Sequence, residues 1–331
     1  MTLPSHHAPS GFRNPWPGSE QQGVSGLLKW MLTRSSARSA SSPAYPEAPT
    51  IAASVGIPPD VTEDLTITWI GHSTFLIQCD GLNVLTDPMW SDRASPVWFA
   101  GPRRLVPPGL RLDDLPEIDI TLLSHDHYDH LDDRTVRHLA SRFPRMQWAA
   151  PLGVGSFLRS RGAASVTEFD WWQEREISDT TIGCTPAQHF SGRSPWDRNR
   201  TLWSGWTVAF PRARVFFAGD TGFHPEFGAI ASRFGPFDMA ILPIGAYEPR
   251  WFMRPVHMNP DDSVMAFTQL LANAANEHCV MVGSHWGTFR LTDEPVMEPP
   301  ALTRQRWSTA GLPAERLWIL GHGETRQFGP G

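Results

Sequence analysis

Four side chains that could bind a metal ion lie close together in the segment 125–130, which reads His-Asp-His-Tyr-Asp-His. Because an extended chain alternates its side chains, His125, His127 and Asp129 can project to one side, and a turn can bring His130 alongside them. Neutral imidazole and carboxylate are the ligands that zinc takes when thiolates are absent. The segment therefore predicts a zinc site.

Three further candidate ligands each follow a predicted strand. His189 comes after the strand 180–185, Asp220 after 215–218 and His285 after 280–283. Together with the first cluster they supply the number of ligands that a dinuclear centre needs. The sequence thus predicts a site for two Zn²⁺ ions per chain, with the ligands His125, His127, Asp129, His130, His189, Asp220 and His285.

The hydrophobic pattern supplies the elements that must position these ligands. A hairpin of the strands 75–78 and 82–86 turns at Asp80-Gly81, and the apolar run 118–123 predicts a buried strand that ends at the histidine-rich segment. Further predicted strands are 66–69, 147–150, 180–185, 202–210, 215–218, 238–242, 280–283 and 317–320, and the predicted helices are 133–143, 156–161, 225–234 and 260–275, the last capped by Asn259. Two such halves predict an α/β fold, an αββα sandwich.

Composition restricts the class of protein. With 331 residues, 40% of them hydrophobic, the chain can bury a sizeable core, and its net charge of −6 disfavours binding of nucleic acid. Cys79, Cys184 and Cys279 are widely spaced, which favours buried free thiols. The sequence shows neither an apolar run long enough to span a membrane nor a signal-peptide pattern, so we expect a cytoplasmic protein.

The N-terminal part differs from the rest of the chain. Residues 1–60 are rich in Pro, Ser and Ala and predict an extension, whereas residues 61–331 predict the catalytic domain. Within the extension, residues 24–32 have apolar side chains at helical spacing, with Lys29 and Trp30 among them. We expect a short amphipathic helix that packs on the domain; the alternative is transient contact with a membrane surface and a peripheral location.

The pattern His-x-His-x-Asp-His, followed by His, Asp and His, resembles the metallo-β-lactamase superfamily. A narrower resemblance, to the N-acyl-phosphatidylethanolamine-hydrolysing phospholipase D family, covers nearly the whole chain, and its block 245–253 is highly specific. The other matching blocks are 14–17, 85–88, 93–96, 101–104, 170–172, 216–222, 233–238 and 285–289.

This resemblance implies a mechanism. His125, His127 and His189 would hold one zinc ion and Asp129, His130 and His285 the other, with Asp220 bridging. A hydroxide shared by the ions would attack the phosphorus of a glycerophospholipid and release phosphatidic acid and an N-acylethanolamine.

The residues with implied catalytic roles are Asp129, Asp220 and His257. His257 would stabilise charge or protonate the leaving oxygen, or it is merely a polar residue at a helix entry. Val256 stands where the family member compared has Gln. Asp87 is expected to orient a ligand, and His322 to have a structural role.

Two other functions remain open from the sequence. The same dinuclear core could serve a lactonase or a sugar-phosphate lactone hydrolase, because the superfamily fold does not select the substrate. The other is a non-catalytic, zinc-stabilised binding protein, against which the full ligand set argues. The expected partner is a phospholipid or another phosphodiester, and a homodimer is compatible with the sequence.

Overall fold

The computed structural model describes residues 4–37, 63–272 and 277–329. The strands are β1 (His7–Ala8), β2 (Gly11–Phe12), β3 (Thr66–Gly71), β4 (Thr74–Cys79), β5 (Leu82–Thr86), β6 (Ile120–Leu122), β7 (Gln147–Pro151), β8 (Ser165–Phe169), β9 (Glu174–Ile177), β10 (Thr180–Thr185), β11 (Gly205–Ala209), β12 (Arg214–Phe217), β13 (Met239–Pro243), β14 (Val280–Ser284), β15 (Leu317–Trp318) and β16 (Thr325–Gln327). The helices are α1 (Val24–Ala37), α2 (Asp133–Arg142), α3 (Gly155–Ser160), α4 (Phe227–Phe234), α5 (Arg250–Met253), α6 (Pro260–Ala272) and α7 (Glu298–Thr309), with short 3₁₀ turns at Leu112–Asp114 and Ala314–Arg316.

The first sheet has the strand order β16-β3-β4-β5-β6-β7-β8. Its strands β3, β4 and β5 are antiparallel, and β5 to β8 are parallel. Asp80 and Gly81 both have positive φ, which matches the twist of a two-residue hairpin turn. The side chains alternate between two cores, so that Phe75 and Ile77 face one and Leu76 faces the other.

The second sheet, β15-β14-β13-β12-β11-β10-β9, repeats this plan. Its strands β9 to β12 are antiparallel and β12 to β15 are parallel. The larger core joins the two sheets and continues to α4, α6 and α7, while the smaller core packs α2 and α3 on the first sheet. The structure confirms the predicted αββα sandwich.

Several elements differ from the predicted pattern. The strand predicted at 202–210 begins only at Gly205, because the backbone of Ser204 bonds to Ser124 in the other sheet instead of to a neighbouring strand. The hydrophobic pattern does not predict the strands β8, β9 and β16 or the helix α7. The edge strand β9 is charged and exposed, and α7 begins with two prolines, so neither carries a clear hydrophobic period.

The N-terminal part contains a longer helix than the predicted segment 24–32. The helix α1 lies against α5, where the Trp30 ring packs on Phe252 and the Lys29 ammonium lies over Trp251. Residues 38–60 and the boundary at 60/61, like the predicted end of α6 at 275, fall outside the described residues. Within the described ranges, no helix is long and apolar enough to cross a bilayer.

Candidate metal centre

The seven candidate ligands lie together at one edge of the two sheets. The segment 125–130 follows β6, and His189, Asp220 and His285 follow β10, β12 and β14. The sheets are joined at this edge, since Ser204 N donates to Ser124 O and Trp206 Nε1 donates to Leu123 O. The carboxyl ends of strands from both sheets therefore surround one centre.

Three histidines form one half of the centre. His127 Nδ1 lies 2.9 Å from His125 Nε2 and 3.2 Å from His189 Nε2. All three can place one ring nitrogen at a common point, which makes them a candidate three-nitrogen site.

Asp129, His130 and His285 form the other half. Asp129 Oδ2 is 3.5 Å from His130 Nε2 and 3.7 Å from His285 Nε2. Asp220 stands between the halves, because its Oδ2 is 3.1 Å from the Nε2 atoms of His130 and His285 and 3.9 Å from those of His125 and His189. One carboxylate oxygen is thus within reach of both donor sets.

The hydrogen bonding of the centre fits bound metal. Within the described ranges, the buried atoms Asp220 Oδ1, His130 Nε2 and both ring nitrogens of His285 have no hydrogen-bond partner. Buried polar atoms are rarely left unpaired unless they bind an ion or water. The donor set of imidazoles and carboxylates suits zinc and related divalent ions. The residues therefore fit a dinuclear centre.

Burial and neighbouring charges set the protonation of the ligands. Burial lowers the pKa of His127 to about 4 and that of His189 to about 3, so both rings are neutral at neutral pH. Burial also acts to lower the pKa of His285, but Asp220 and Asp129 outweigh it and raise this pKa to about 9. A divalent cation would replace the proton as the partner of these carboxylates, so its binding releases protons.

A second layer of contacts orients the ligands. Asp87, which follows β5, lies 2.7 Å from His130 Nδ1 and accepts hydrogen bonds from Ser124 N and Ser124 Oγ. His189 Nδ1 lies 2.9 Å from the carbonyl oxygen of Val256. These partners fix which ring nitrogen would be free to bind a metal ion.

His257 lies beside the two donor sets. Its Nε2 is 3.8 Å from Asp220 Oδ2, and its ring centre is 5.1 Å from that of His189. Burial holds the pKa of His257 well below its usual range, so the ring is neutral. His322 lies outside the centre, where its Nε2 is 2.9 Å from Thr288 Oγ1 and its ring packs on Trp69.

His72 belongs to this centre, although the sequence pattern does not predict it. It lies in the turn between β3 and β4, with a φ of 56°, and its Nε2 is 3.0 Å from Asp129 Oδ2. Its carbonyl oxygen accepts a hydrogen bond from His285 N. A histidine directly after a glycine in a tight turn is the available signal, but nothing local relates it to a ligand that is distant in sequence.

The comparisons with known proteins agree with this architecture. The family model described as "Beta-lactamase superfamily domain" matches residues 82–286. The chain is 44% identical to N-acyl-phosphatidylethanolamine-hydrolyzing phospholipase D 1 of Caenorhabditis elegans over 71% of this chain and 67% of that protein. It is 35% identical to the mitochondrial enzyme of that name from Saccharomyces cerevisiae, over 70% of this chain and 49% of that protein.

Among solved structures, the isothiocyanate hydrolase from Delia radicum gut bacteria superposes with a TM-score of 0.62 at 22% identity, covering 79% of this chain and 98% of that one. This likeness concerns the fold alone. Taken together, the fold, the clustered histidines and aspartates and the relatives show that the chain belongs to the metallo-β-lactamase superfamily and is one of its metal-dependent hydrolases.

Proposed function

We propose that this protein is a dinuclear zinc phosphodiesterase of the phospholipase D type. Its substrate would be a glycerophospholipid, which it hydrolyses to phosphatidic acid and an N-acylethanolamine or related alcohol. The observation that carries the proposal is the position of Asp220 between two complete donor sets, in a chain that is 44% identical to a phospholipase D of this kind.

The bound ions would activate water and neutralise the charge on a phosphoryl group. The chain's own residues would hold that geometry, with Asp220 and Asp129 supplying negative charge and the buried histidines supplying nitrogen donors. The neutral ring of His257 carries one proton beside the centre. It would hydrogen-bond the phosphoryl group, and it would protonate the departing ethanolamine-side oxygen only after taking up a second proton, for example from the attacking water.

Exposed apolar side chains on a few surface segments favour a lipid over a small lactone. All but one of the large exposed hydrophobic side chains among the described residues lie on four segments; the exception is Met265 on α6. These segments are α1, the loop 97–105, the loop that follows His189, and α5. The four segments together are called the apolar rim; its side chains are Leu27, Leu28, Met31, Leu32, Val97, Trp98, Phe99, Leu105, Trp196 and Trp251.

Each segment of the apolar rim is linked, along the chain or through a packing contact, to a segment that carries a residue of the candidate centre. The helix α5 shortly precedes His257, and α1 packs on α5. Arg104 pairs through its backbone with Phe289, close to His285, and the loop carrying Trp196 begins after His189. Trp98 and Trp196 are each 84% exposed, as expected of side chains that enter a lipid interface. We infer that the rim makes transient contact with a membrane surface.

A cleft beside the histidine-rich segment would accommodate the acyl chains, while its lining contains none of the seven candidate ligands. It measures about 1340 Å³ and is lined by Tyr128 of that segment. Its other walls combine aromatic rings, including Trp90 and Phe157, with both arginine and aspartate side chains. The aromatic walls suit apolar chains, and the phosphate would lie at the candidate centre instead.

The test is a substrate panel on one zinc-loaded preparation. N-acyl-phosphatidylethanolamine, phosphatidylcholine, a short-chain soluble analogue and several lactones are incubated in water labelled with heavy oxygen. We expect phosphatidic acid as the product, with the label in its phosphate, because water attacks phosphorus.

The control is Asp220→Asn, which keeps the size of the side chain but removes its charge. Turnover of lactones that exceeds that of every phospholipid by orders of magnitude would contradict the lipid assignment and favour the lactonase alternative. Binding of zinc without any hydrolysis would favour the non-catalytic alternative.

A further inference from the structure

A second cluster of potential metal ligands lies outside the candidate centre. The consecutive residues His6 and His7 face the side chain of Asp170, which follows β8. His6 Nε2 lies 2.6 Å from Asp170 Oδ1, and His7 Nε2 lies 2.8 Å from Asp170 Oδ2. Two imidazoles from one end of the chain thus converge on a carboxylate from the middle of the fold.

The surrounding residues hold these side chains in place. The His6 ring is buried and stacks on Trp171, with a centroid distance of 4.2 Å, and the His7 ring packs edge-on against Phe12. Asp170 also accepts a hydrogen bond from Trp171 N. The His7 and Asp170 side chains are 22% and 16% exposed, so an ion can enter and a water molecule can complete its coordination.

We propose that His6, His7 and Asp170 form a third metal site, which binds Zn²⁺ or a similar divalent transition-metal ion. Two imidazole nitrogens and one carboxylate form a zinc-type donor set that leaves one position for water. Ligand atoms around a tetrahedral zinc ion lie roughly 3.3 Å apart. Each imidazole nitrogen would therefore move away from its carboxylate oxygen by less than about 1 Å. The ligand atoms of the cluster lie within 4.8 Å of one another, and two pairs of nitrogens in the three-histidine set of the candidate centre lie at 2.9 and 3.2 Å.

A metal ion at this site would stabilise the packing of the N-terminal arm, residues 4–23, on the catalytic domain. Beyond His7 the arm forms the β1–β2 hairpin, and Phe12 N donates to Asn199 O. Asn14 Nδ2 and Gln21 Nε2 then both donate to the carbonyl oxygen of His189, at 3.0 and 2.8 Å. An ion at the start of the arm would thereby stabilise the backbone of a ligand of the candidate centre.

Metal content provides the first test. The whole protein is stripped with a chelator, reloaded with Zn²⁺ and washed, and its zinc is counted by mass spectrometry in wild type, His7→Ala and Asp170→Asn. We expect each variant to bind one ion fewer than wild type. His138→Ala is the matched control, since His138 faces Asp113 at the surface away from the arm, and it should bind as many ions as wild type.

Proteolysis provides the second readout, because Arg13 is an exposed cleavage site within the arm. Zn²⁺ at ten times its dissociation constant should slow tryptic cleavage after Arg13 about tenfold in wild type, since only the opened arm is cut. The same addition should leave His7→Ala unchanged. Both readouts use a difference between variants, so they do not depend on how many ions the candidate centre holds or on any hydrolytic activity.

Equal zinc content in wild type and both variants, together with cleavage that does not respond to Zn²⁺, would overturn the proposal. The three residues would then form only a hydrogen-bonded cluster that binds no metal ion. If His7→Ala fails to fold, Asp170→Asn decides the question, because Asn keeps an oxygen acceptor for one histidine but lacks the carboxylate charge that the ion needs.

Discussion

At the scale of single residues, Asp220 is the side chain that connects the two halves of the candidate centre. Its Oδ2 lies within 4 Å of five histidine nitrogens, those of the four candidate ligands around it and that of His257, and its Oδ1 is buried without a hydrogen-bond partner among the described residues. We expect Asp220→Ala and Asp220→Asn to lower kcat/KM by more than about 100-fold. This loss would exceed the usual effect of replacing a residue that only hydrogen-bonds to a metal ligand. Steady-state assays check this, with circular dichroism as the folding control. Turnover near the wild-type value would show that Asp220 bridges nothing.

His72 should act on metal binding through Asp129. Because its Nε2 lies 3.0 Å from Asp129 Oδ2, loss of the ring removes a partner that orients this ligand. His72→Ala should therefore weaken binding of one zinc ion about 10-fold to 100-fold, measured by competition with a coloured chelator. His72→Gln should recover much of the affinity, because the Gln amide can still donate.

His322→Ala separates this role of His72 from a general loss of stability. His322 contacts the same Thr288 as His72 but no candidate ligand. The variant should be less stable at unchanged zinc affinity. Equal losses of affinity in His72→Ala and His322→Ala would contradict a positioning role for His72.

At the scale of elements, the helix α1 exposes apolar side chains and packs on α5, which shortly precedes His257. Met31 is 61% and Leu32 78% exposed, and Leu28 is half exposed. The double substitution of Leu28 and Met31 by Ser should reduce binding to phospholipid vesicles and activity on them. Each side chain contributes at most about 1.5–3 kcal/mol to such binding. Activity on a short-chain soluble substrate should persist, as measured in parallel assays.

The matched control for α1 is Met265→Ser, which removes an exposed apolar side chain from α6, outside the apolar rim. It should leave vesicle binding unchanged. If the α1 double variant loses stability and both activities together, the helix face serves packing and the proposed lipid contact is wrong.

A buried histidine that packs against the N-terminal arm should make the protein sensitive to acid. Trp16 of the arm stacks on His224, whose burial lowers its pKa to about 3. Because the unfolded chain binds this proton near pH 6.5, the stabilising contribution of the neutral ring is present above that pH and is lost as the pH falls towards 3.

In wild type, His224 makes the free energy of unfolding fall as the pH is lowered from 6 to 4. We therefore expect His224→Phe to reduce this dependence by up to about 1.4 kcal/mol per pH unit. Urea denaturation of both proteins across this range provides the measurement. Identical slopes would mean that His224 is not kept neutral by the fold.

At the scale of the whole molecule, the candidate centre connects the two sheets. The segment 125–130 follows a strand of the first sheet, and His189, Asp220 and His285 follow strands of the second. Each ion present at 100 times its dissociation constant adds about 2.7 kcal/mol to the free energy of unfolding. We expect a chelator to lower stability by several kcal/mol and zinc to restore it, as followed by urea denaturation. A chelator effect as large in Asp220→Asn as in wild type would place the stabilising metal elsewhere.

The sequence alone is sufficient for the fold class and for the strand ends that carry the candidate ligands. The sequence pattern and the neighbouring turn residues predict strands such as β5 and β10 at their observed bounds, since both are local properties. The spacing within 125–130 is local too, so the histidine-rich segment is recognisable from its residues alone. The charged edge strand β9 has no hydrophobic period, so the sequence pattern does not predict it.

Only the tertiary structure decides which distant residues meet. His6 and Asp170 are 164 residues apart in the sequence, and His72 and Asp129 are 57 apart, yet each pair is in hydrogen-bond contact. The same holds for Asn14 and Gln21, which hold the backbone of His189. Such contacts follow from how the two sheets and the N-terminal arm pack, and no local pattern encodes the packing of one segment against another.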